Sequence, residues 1–575
     1  MAAMLEGRRF VIAGLSRLTV RLVETLTEHH AEVVVIGDPL RDGERAAEAM
    51  SMLPDDVRVV VPGRDHDQAF LDAGLLDASG LLALSDDDLE NLRYVADAHE
   101  LAPDVPIVLR TFQPELADHL SKSLNIRRAY SVAALAAPAF VAASFDEHVV
   151  VTLRLADEEI PLCVLDVDAM SPLVGMDLTT VKTATLCGVV AVRAAGHDWQ
   201  PATDSTPALG AGDRVLVGGR HADVLRLAAQ NDPDVAASVR SHRRRRRWRP
   251  QRITATLLPI SAALFFVLFV ITTLVNRAVF DLDLTDAMSV ALNAALGGST
   301  PITGYEWVQI FNLLSTIAGT ILLWILLSHI TALVLAERFE QRMTKRASRM
   351  TNHVVVVGLG KLGYRVVQLL DELGVPTVAI EHTPDSRFLD AVATHTPVLT
   401  GDGQLAENLE RCGVENARCI IAATNDDLAN LASCLEARNL NPDIRTVTRV
   451  FDDRLATRLG KAFQVDEALS STSVASAAFF GAATDVLAMR PIELEGVDLL
   501  VFRFSPIATL SVDTINQWRT KGVRIMAVQH GDGEVEPPTV ALSQALVPGD
   551  EAIVVGPAQV IKQFARAHTA PTVDA

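Results

Sequence analysis

Cysteine is scarce. There are five in 575 residues, at Cys163, Cys187, Cys412, Cys419 and Cys434, and none forms a CxxC pair or a Cys/His cluster. A disulfide framework and a structural zinc site are excluded, and reduced thiols in a cytoplasmic setting are expected. Basic charge is also short: Lys+Arg is 51 against Asp+Glu 71, a net charge of −20. A nucleic-acid coat needs a net basic surface, so no nucleic-acid partner is expected. The opening MAAMLEGRRFVIAGLS lacks a long apolar stretch behind a basic start, and no signal peptide is read there. What the chain does have is apolar mass: 49% hydrophobic residues and a mean hydropathy of +0.25. The length suggests about three to five domains.

The apolar excess is concentrated in the middle. Ile253–Val275 is 23 residues without a charge, and Val308–Ala336 is 29, with His329 its only ionisable group. About 20 apolar residues span a bilayer, so both stretches read as transmembrane helices. Arg240, Arg243 to Arg247, Arg249 and Arg252 precede the first; Arg338, Arg342, Lys345, Arg346 and Arg349 follow the second. The intervening loop holds Arg277 against Asp281, Asp283, Asp286 and Glu306. The positive-inside rule therefore puts both flanks in the cytoplasm, where the arginines also contact anionic lipid.

Between the spans, Thr285–Leu296 reads as a helix with Thr285 as N-cap candidate and Asp286 in its first turn. Its length, about 18 Å, is too short to cross. A Gly/Thr-rich segment follows: Gly297, Gly298, Ser299, Thr300, Pro301, Ile302, Thr303, Gly304 and Tyr305. Helix, half-helix, Gly/Thr loop, helix is the plan of a pore-loop subunit; an ordinary external loop is the alternative. On the second span Asn312, Ser315, Thr316, Gly319 and Thr320 fall within about 140° of one another. Such a stripe lines water or packs against another helix, and the stripe alone does not choose.

The flanks are one unit written twice. Residues 81–144 align without a gap onto 420–483: Asp87-Asp88-Leu89-x-Asn91-Leu92 onto Asp426-Asp427-Leu428-x-Asn430-Leu431, and Arg110-x-Phe112 onto Arg449-x-Phe451. Upstream, Arg9–Ile36 parallels His353–Ile380, and downstream 212–218 parallels 549–556. Strands at Phe10–Ala13, Val33–Ile36, Arg58–Val61, Gly80–Leu84 and Ile107–Leu109 alternate with helical patterns, which means βαβ units and a parallel sheet. The expected order is an α/β lobe over 7–145, a smaller strand-rich lobe over 146–237, a basic linker over 238–252 and the hairpin over 253–336. A linker over 337–350, a second α/β lobe over 351–485 and its smaller lobe over 486–572 complete it.

In the second repeat, strand Val354–Val357 runs into Gly358-Leu359-Gly360-Lys361-Leu362-Gly363 and a helix. The first glycine makes the turn, the second admits a pyrophosphate, and the third lets helix and strand pack. Phosphates would sit at the helix N-terminus. Glu381 ends the next strand, 21 residues after Gly360, where an acid meets a ribose diol. An adenine mononucleotide or dinucleotide is the expected ligand. In the first repeat Gly14 is kept, but Ser16, Thr19 and Gly37 stand where Gly360, Gly363 and Glu381 stand, so standard dinucleotide binding is not expected there. The Asp86-Asp87-Asp88 run reads as a loop or helix cap before it reads as a cation site.

The second repeat resembles the regulator-of-potassium-conductance domains, also found as nucleotide-binding subunits of Trk-type uptake systems. The resemblance is carried by GxGxxG at 358–363, Glu381, Gly401-Asp402-Gly403, Ala423-Thr424-x-Asp426-Asp427-x-x-Asn430 and Arg449. It implies doubly wound, Rossmann-like lobes, each with a smaller α+β C-lobe, beside a two-helix pore hairpin with a re-entrant loop. It also implies NAD(H) or another adenine nucleotide in a cleft lined by Gly358 to Gly363, Glu381, Asp402 and Thr424, domain pairing, and a homotetramer around a monovalent-cation pore. The regulator–membrane–regulator order departs from the family's usual plan. The filter string also departs: Ile302-Thr303-Gly304-Tyr305-Glu306 has glutamate where potassium channels have the last glycine of Thr-Val-Gly-Tyr-Gly.

The function expected is therefore a ligand-gated cation channel, potassium first. The alternative is a membrane-tethered regulatory subunit of a separate transporter. No acid/base pair or nucleophile constellation accompanies the glycine loop, and a dinucleotide fold implies no chemistry by itself, so an enzyme is not expected.

Overall fold

The computed structural model describes residues 5–40, 43–63, 66–112, 124–145, 148–155, 158–231, 257–296, 298, 306–384, 386–451, 465–484, 490–531, 533–538 and 544–568. The chain divides into two compact units, one holding both repeats and the other spanning Arg247–Ala347.

In the first repeat β1 (Arg9–Ala13), β2 (Glu32–Ile36), β3 (Arg58–Val60), β4 (Gly80–Ala83), β5 (Ile107–Arg110) and β6 (Ile126–Tyr130) form a parallel sheet in the order β3-β2-β1-β4-β5-β6. The chain goes out to one edge and restarts beside β1, so β1 and β4 flank the switch point where ligands of doubly wound sheets bind. Strand β6 (IRRAY) has no apolar alternation and is invisible to a periodicity reading. An antiparallel C-lobe follows, built from β7 (His148–Leu155), β8 (Glu158–Asp166), β9 (Gly188–Arg193), β10 (Gln200–Pro201) and β11 (Arg214–Gly218).

The second repeat copies this plan. Strands β12 (Val354–Val357), β13 (Thr377–Glu381), β14 (Val398–Thr400), β15 (Cys419–Ala422), β16 (Arg445–Arg449) and β17 (Glu467–Leu469) pair in the order β14-β13-β12-β15-β16-β17. Its antiparallel C-lobe contains β18 (Arg490–Leu494), β19 (Val497–Phe504), β20 (Arg524–Gln529), β21 (Val535–Glu536) and β22 (Glu551–Pro557).

The repeats exchange helices. Val132–Ala143 (VAALAAPAFVAA) is buried from Ala133 to its end, which is what an all-round apolar helix requires. Its Ala136, Ala137, Phe140 and Val141 share a core with Val354, Val356, Leu362 and Val366 of the other repeat. In return Ala475, Phe479, Phe480 and Ala483, on Ser471–Thr484, pack with Phe10, Ile12, Leu18 and Leu22. The two C-lobe sheets also share a core, with Leu155, Ile160 and Leu162 against Leu499, Val501 and Met526. All five cysteines are buried and outside disulfides; burial pushes the thiols of Cys187, Cys412, Cys419 and Cys434 up to about 12.

The second unit has helices at Leu257–Phe280, Leu284–Ala295 and Glu306–Ala347. Two are long and apolar enough to cross a membrane, over Pro259–Phe280 and Glu306–Ser328. Their apolar side chains, among them Leu264, Phe266, Leu274, Leu313, Leu314 and Trp324, are mostly exposed within the chain, unlike the core helix of a water-soluble domain. The short helix begins at Leu284 with Asp283, not Thr285, in the N-cap position. The last helix does not stop at Ala336 but continues through the expected linker to Ala347, because Glu, Gln, Arg, Lys and Met there are good helix formers. The basic stretch 238–252 lies outside the described residues.

Candidate functional site

Both repeats turn at their first glycine with positive φ, +99° at Gly14 and +90° at Gly358. A Cβ would stand 2.4 Å from the Ser85 backbone N at Gly14 and 2.7 Å from Thr424 Cγ2 at Gly358, so each turn needs glycine twice over.

Beyond that turn the repeats diverge. In the first, Ser16 Oγ accepts the Thr19 N–H at 3.3 Å and caps Arg17–Glu28, while Thr19 Oγ1 donates to the Gly14 carbonyl at 2.7 Å. The donors that would hold a phosphate are thus served by the chain's own hydroxyl. A side chain at Gly37 would strike Leu15 Cγ at 2.5 Å, so the place of a ribose acid is filled by leucine.

In the second repeat Gly360 is the N-cap of Lys361–Glu372 and no side chain caps that helix. A Cβ at Gly360 would meet nothing within 4 Å, whereas one at Gly363 would lie 1.9 Å from the Gly358 carbonyl oxygen. The loop is therefore tightly closed on its inner side and open on its outer side, as approach of a pyrophosphate requires. Glu381, at the end of β13, accepts the Leu359 N–H at 2.6 Å and the Thr383 N–H at 2.9 Å. It braces the glycine loop, and each oxygen keeps acceptor capacity for a ribose. Asp402 accepts the Gln404 N–H at 2.9 Å. Thr424 is tied to Asn430 Oδ1 through its N–H at 2.8 Å and its hydroxyl at 2.6 Å. All three follow the carboxyl ends of sheet strands, around the switch point.

A cavity of about 360 Å³ opens between the two repeats. Leu359, Gly360, Lys361 and Leu362 line it, but Glu381, Asp402 and Thr424 do not. Of the expected set, Leu359 to Leu362 thus lie on the cavity wall, while Gly358, Gly363, Glu381, Asp402 and Thr424 lie off it. The opposite wall comes from the first repeat, with Arg17, Arg45, Asp86, Asp88, Arg110 and Phe112; Arg387, Phe388, Asn425, Arg449 and Phe451 complete it. Sequence reading missed Arg17, Arg45, Arg110 and Arg387 as site residues. The available signal was the repeat itself, which places Arg110 and Arg449, and Asp88 and Asp427, at equivalent strand ends.

The cavity's electrostatics are reciprocal. Lys361 Nζ meets Asp88 Oδ1 at 3.1 Å across the repeats, and Arg17 approaches Asp427 at 3.8 Å from the other side. Asp88 and Asp427 each also accept the N–H of the matching phenylalanine, Phe112 and Phe451, both at 2.9 Å. Arg17 lies 4.6 Å from the Phe451 ring centroid. Asp86 pairs with Arg110 at 2.6 Å. Burial works against the Asp86 carboxylate, but Arg110, with Arg45 and Lys361, outweighs it and holds the group below its usual range. The middle acid, Asp87, caps Asp88–Leu101 through the Leu89 N–H at 2.8 Å. The Asp86–Asp88 run is thus engaged in caps and ion pairs, and no metal-type cluster occurs among the described residues.

In the hairpin, Asn312 and Asn276 exchange side-chain amide hydrogen bonds at 2.9 and 3.0 Å, and both are buried. Ser315 is buried, and a Cβ at Gly319 would stand 2.9 Å from Ala295 Cα. Thr316 and Thr320 return their hydroxyls to the carbonyls of Asn312 and Thr316. Much of the polar stripe therefore packs inside the hairpin. Of the expected pore loop, Gly298 donates its N–H to Asn293 O at 2.7 Å; Gly297, Ser299, Thr300, Thr303, Gly304 and Tyr305 lie outside the described residues.

The TrkA-N domain family matches residues 10–132 and again 354–471. A Trk system potassium uptake protein TrkA homolog of Pyrococcus horikoshii is 30% identical over 100 residues, 17% of this chain and 44% of that one. Potassium channel protein 1 of Methanocaldococcus jannaschii is 26% identical over 125 residues, 21% of this chain and 37% of its own. The chain thus spans less than half the length of these curated relatives. Among solved structures, the GsuK channel bound to NAD is similar with a TM-score of 0.47 at 15% identity, covering 97% of this chain and 78% of that one.

Proposed function

Because the chain carries two TrkA-N domains, one on each side of a two-helix apolar hairpin, we propose that it is a nucleotide-gated cation channel, potassium being the leading ion. The observation that carries the reading is the glycine loop of the second repeat: an uncapped helix start with open space at Gly360 and a braced acid, Glu381, at the next strand end. That arrangement fits an adenine nucleotide, NAD(H) first, with its phosphates at the helix N-terminus and its ribose toward Glu381, Asp402 and Thr424. The first repeat, self-capped by Ser16, keeps the fold without the ligand. Its role is regulatory and not enzymatic, since what the site offers is binding geometry.

A two-helix hairpin cannot enclose a pore alone, so the chain works as an oligomer, a homotetramer by likeness to its family, with Gly297 to Tyr305 as the pore loop and the helix carrying Asn312, Thr316, Gly319 and Thr320 lining the pore. Both termini are cytoplasmic in this reading. A cysteine introduced at Asp281 should label from outside intact cells and one at Ser241 should not. A second reading, a membrane-tethered regulator of a separate transporter, is favoured by one observation: Asn312, Ser315 and Gly319 are already engaged within the hairpin. Recording of the purified full-length protein in planar bilayers decides between them. Cation current whose open probability changes with NAD, NADH, ADP or ATP supports the channel; nucleotide binding without any current supports the regulator.

A further inference from the structure

The two repeats hold their strand-end arginines in the same way but with partners of different charge. Arg110 Nη2 contacts Asp86 Oδ1 at 2.6 Å. At the equivalent place Arg449 Nη1 donates to Asn425 Oδ1, also at 2.6 Å. An amide oxygen satisfies the hydrogen bond but brings no charge of its own, so Arg449 has only the more distant attraction of Asp427 and Asp86. Asp427 also accepts the Phe451 N–H and faces Arg17. Burial pulls the Arg449 guanidinium down to about 10, against the attraction of Asp427. Arg449 is half-buried beside two other cations of the cavity, Arg17 and Arg110, and an anion brought to the group would relieve their mutual repulsion.

The surroundings agree. Among the described residues, six cationic side chains line the cavity (Arg17, Arg45, Arg110, Lys361, Arg387 and Arg449) against two carboxylates, Asp86 and Asp88, and both of these are already paired. At about 360 Å³ the space takes a polyatomic anion with room to spare. The guanidinium fork suits phosphoryl oxygens, and the uncapped helix start at Gly360 opens on the same space.

We propose that the inter-repeat cavity is a one-sided phosphoryl-anion site, in which Arg449 binds the anion while Asp86 serves as a built-in counter-ion that withdraws Arg110 from it. Asn425 is then the residue that sets the side. The inference rests on the reading above in that a nucleotide's phosphates at the glycine loop would enter this cavity, but free diphosphate carries the same chemistry.

The test uses full-length protein in detergent, titrated calorimetrically with inorganic pyrophosphate, ADP and adenosine at low and high salt. Asn425→Asp is nearly isosteric and rebuilds the first repeat's arrangement. It should weaken pyrophosphate and ADP by about tenfold or more, leaving adenosine unchanged. Asp86→Asn releases Arg110 and should tighten both anions, with a steeper loss in salt. If Asn425→Asp binds both anions like the parent, the proposal is wrong. ADP binding lost in Gly360→Val, with no pyrophosphate binding by any form, overturns the anion site and spares the nucleotide reading. Pyrophosphate binding that is weakened by Asn425→Asp, together with ADP binding no tighter than pyrophosphate and untouched by Gly360→Val, does the reverse.

Discussion

Lys361, the first helical residue after the second repeat's glycine loop, pairs with Asp88 of the first repeat at 3.1 Å. Arg17, the equivalent residue of the first repeat, holds Glu48 of its own repeat at 3.0 Å and lies 3.8 Å from Asp427. The helix start after each glycine loop is therefore in electrostatic contact with the acidic run of the other repeat. A ligand arriving at Gly360 would compete with Asp88 for Lys361 and so act on both repeats at once.

The Lys361–Asp88 pair should contribute little to stability. Both side chains are about one-third exposed, at 33% and 34%, and such pairs are worth about 0–1 kcal/mol. Lys361→Met and Asp88→Asn, singly and together, should give a coupling energy below about 1 kcal/mol in denaturation. Nucleotide affinity should respond in opposite directions: weaker in Lys361→Met, which loses a cation, and stronger in Asp88→Asn, which frees it. Equal weakening by both would mean that the pair is needed intact for binding.

The glycines should separate binding from folding. Gly360→Val adds atoms to open space, so the melting temperature should stay near the parent's while the stabilisation by ADP disappears. Gly363→Ala drives a methyl to within 1.9 Å of the Gly358 carbonyl oxygen and should cost about 1–3 kcal/mol before any ligand is added. Ser16→Val should change nucleotide binding little, since the helix start that Ser16 caps is already served by its own hydroxyl. Parallel loss of ADP stabilisation in Ser16→Val and Gly360→Val would remove the distinction between the repeats.

Much of this was legible in the sequence because it is local. The glycine loop, Glu381 and the duplicated strand–helix alternation are short-range patterns, and the two parallel sheets follow from them. The helix exchange was not. VAALAAPAFVAA announces burial on every side but not which sheet it meets, and its partner surface lies more than 200 residues away in the other repeat. The cavity was hidden for the same reason, since Arg17 and Arg449 share a wall only after the repeats pair. Strand β6 and the extension of the last helix through Arg338 and Lys345 escaped because neither carries the apolar rhythm that a hydropathy reading follows.

The amide pair in the hairpin gives a prediction with a sign. Asn276 and Asn312 satisfy each other in a buried position. Asn312→Leu alone leaves the Asn276 amide oxygen without its donor, though Nδ2 keeps the Thr272 carbonyl, and should destabilise the hairpin more than the double replacement with Leu at both positions. Interhelical hydrogen bonds in membranes are worth about 0.6–1.7 kcal/mol, which sets the scale for the single variant. Unfolding in mixed micelles measures both. A double variant less stable than either single one would show that the amides meet other partners in the assembled protein.

The last prediction concerns how binding could reach the membrane. The final helix is continuous from Glu306 to Ala347, and β12, which carries the glycine loop, begins at Val354. Residues 348–353 are thus the whole covalent path from the hairpin to the second repeat on that side. A ligand shifts a gate only by its differential affinity for the open and closed states, typically about 1–3 kcal/mol. Transmitting that difference mechanically needs a short connection. Several Gly/Ser residues inserted after Arg349 would slacken it without touching Gly360, Glu381 or Arg449. ADP affinity, measured by calorimetry, should then stay close to the parent's, while open probability in bilayers loses its nucleotide dependence. An insertion variant that still gates with nucleotide like the parent would show that the force does not pass through this connection. The path would then run through the first repeat and its arginine-rich approach to the first span.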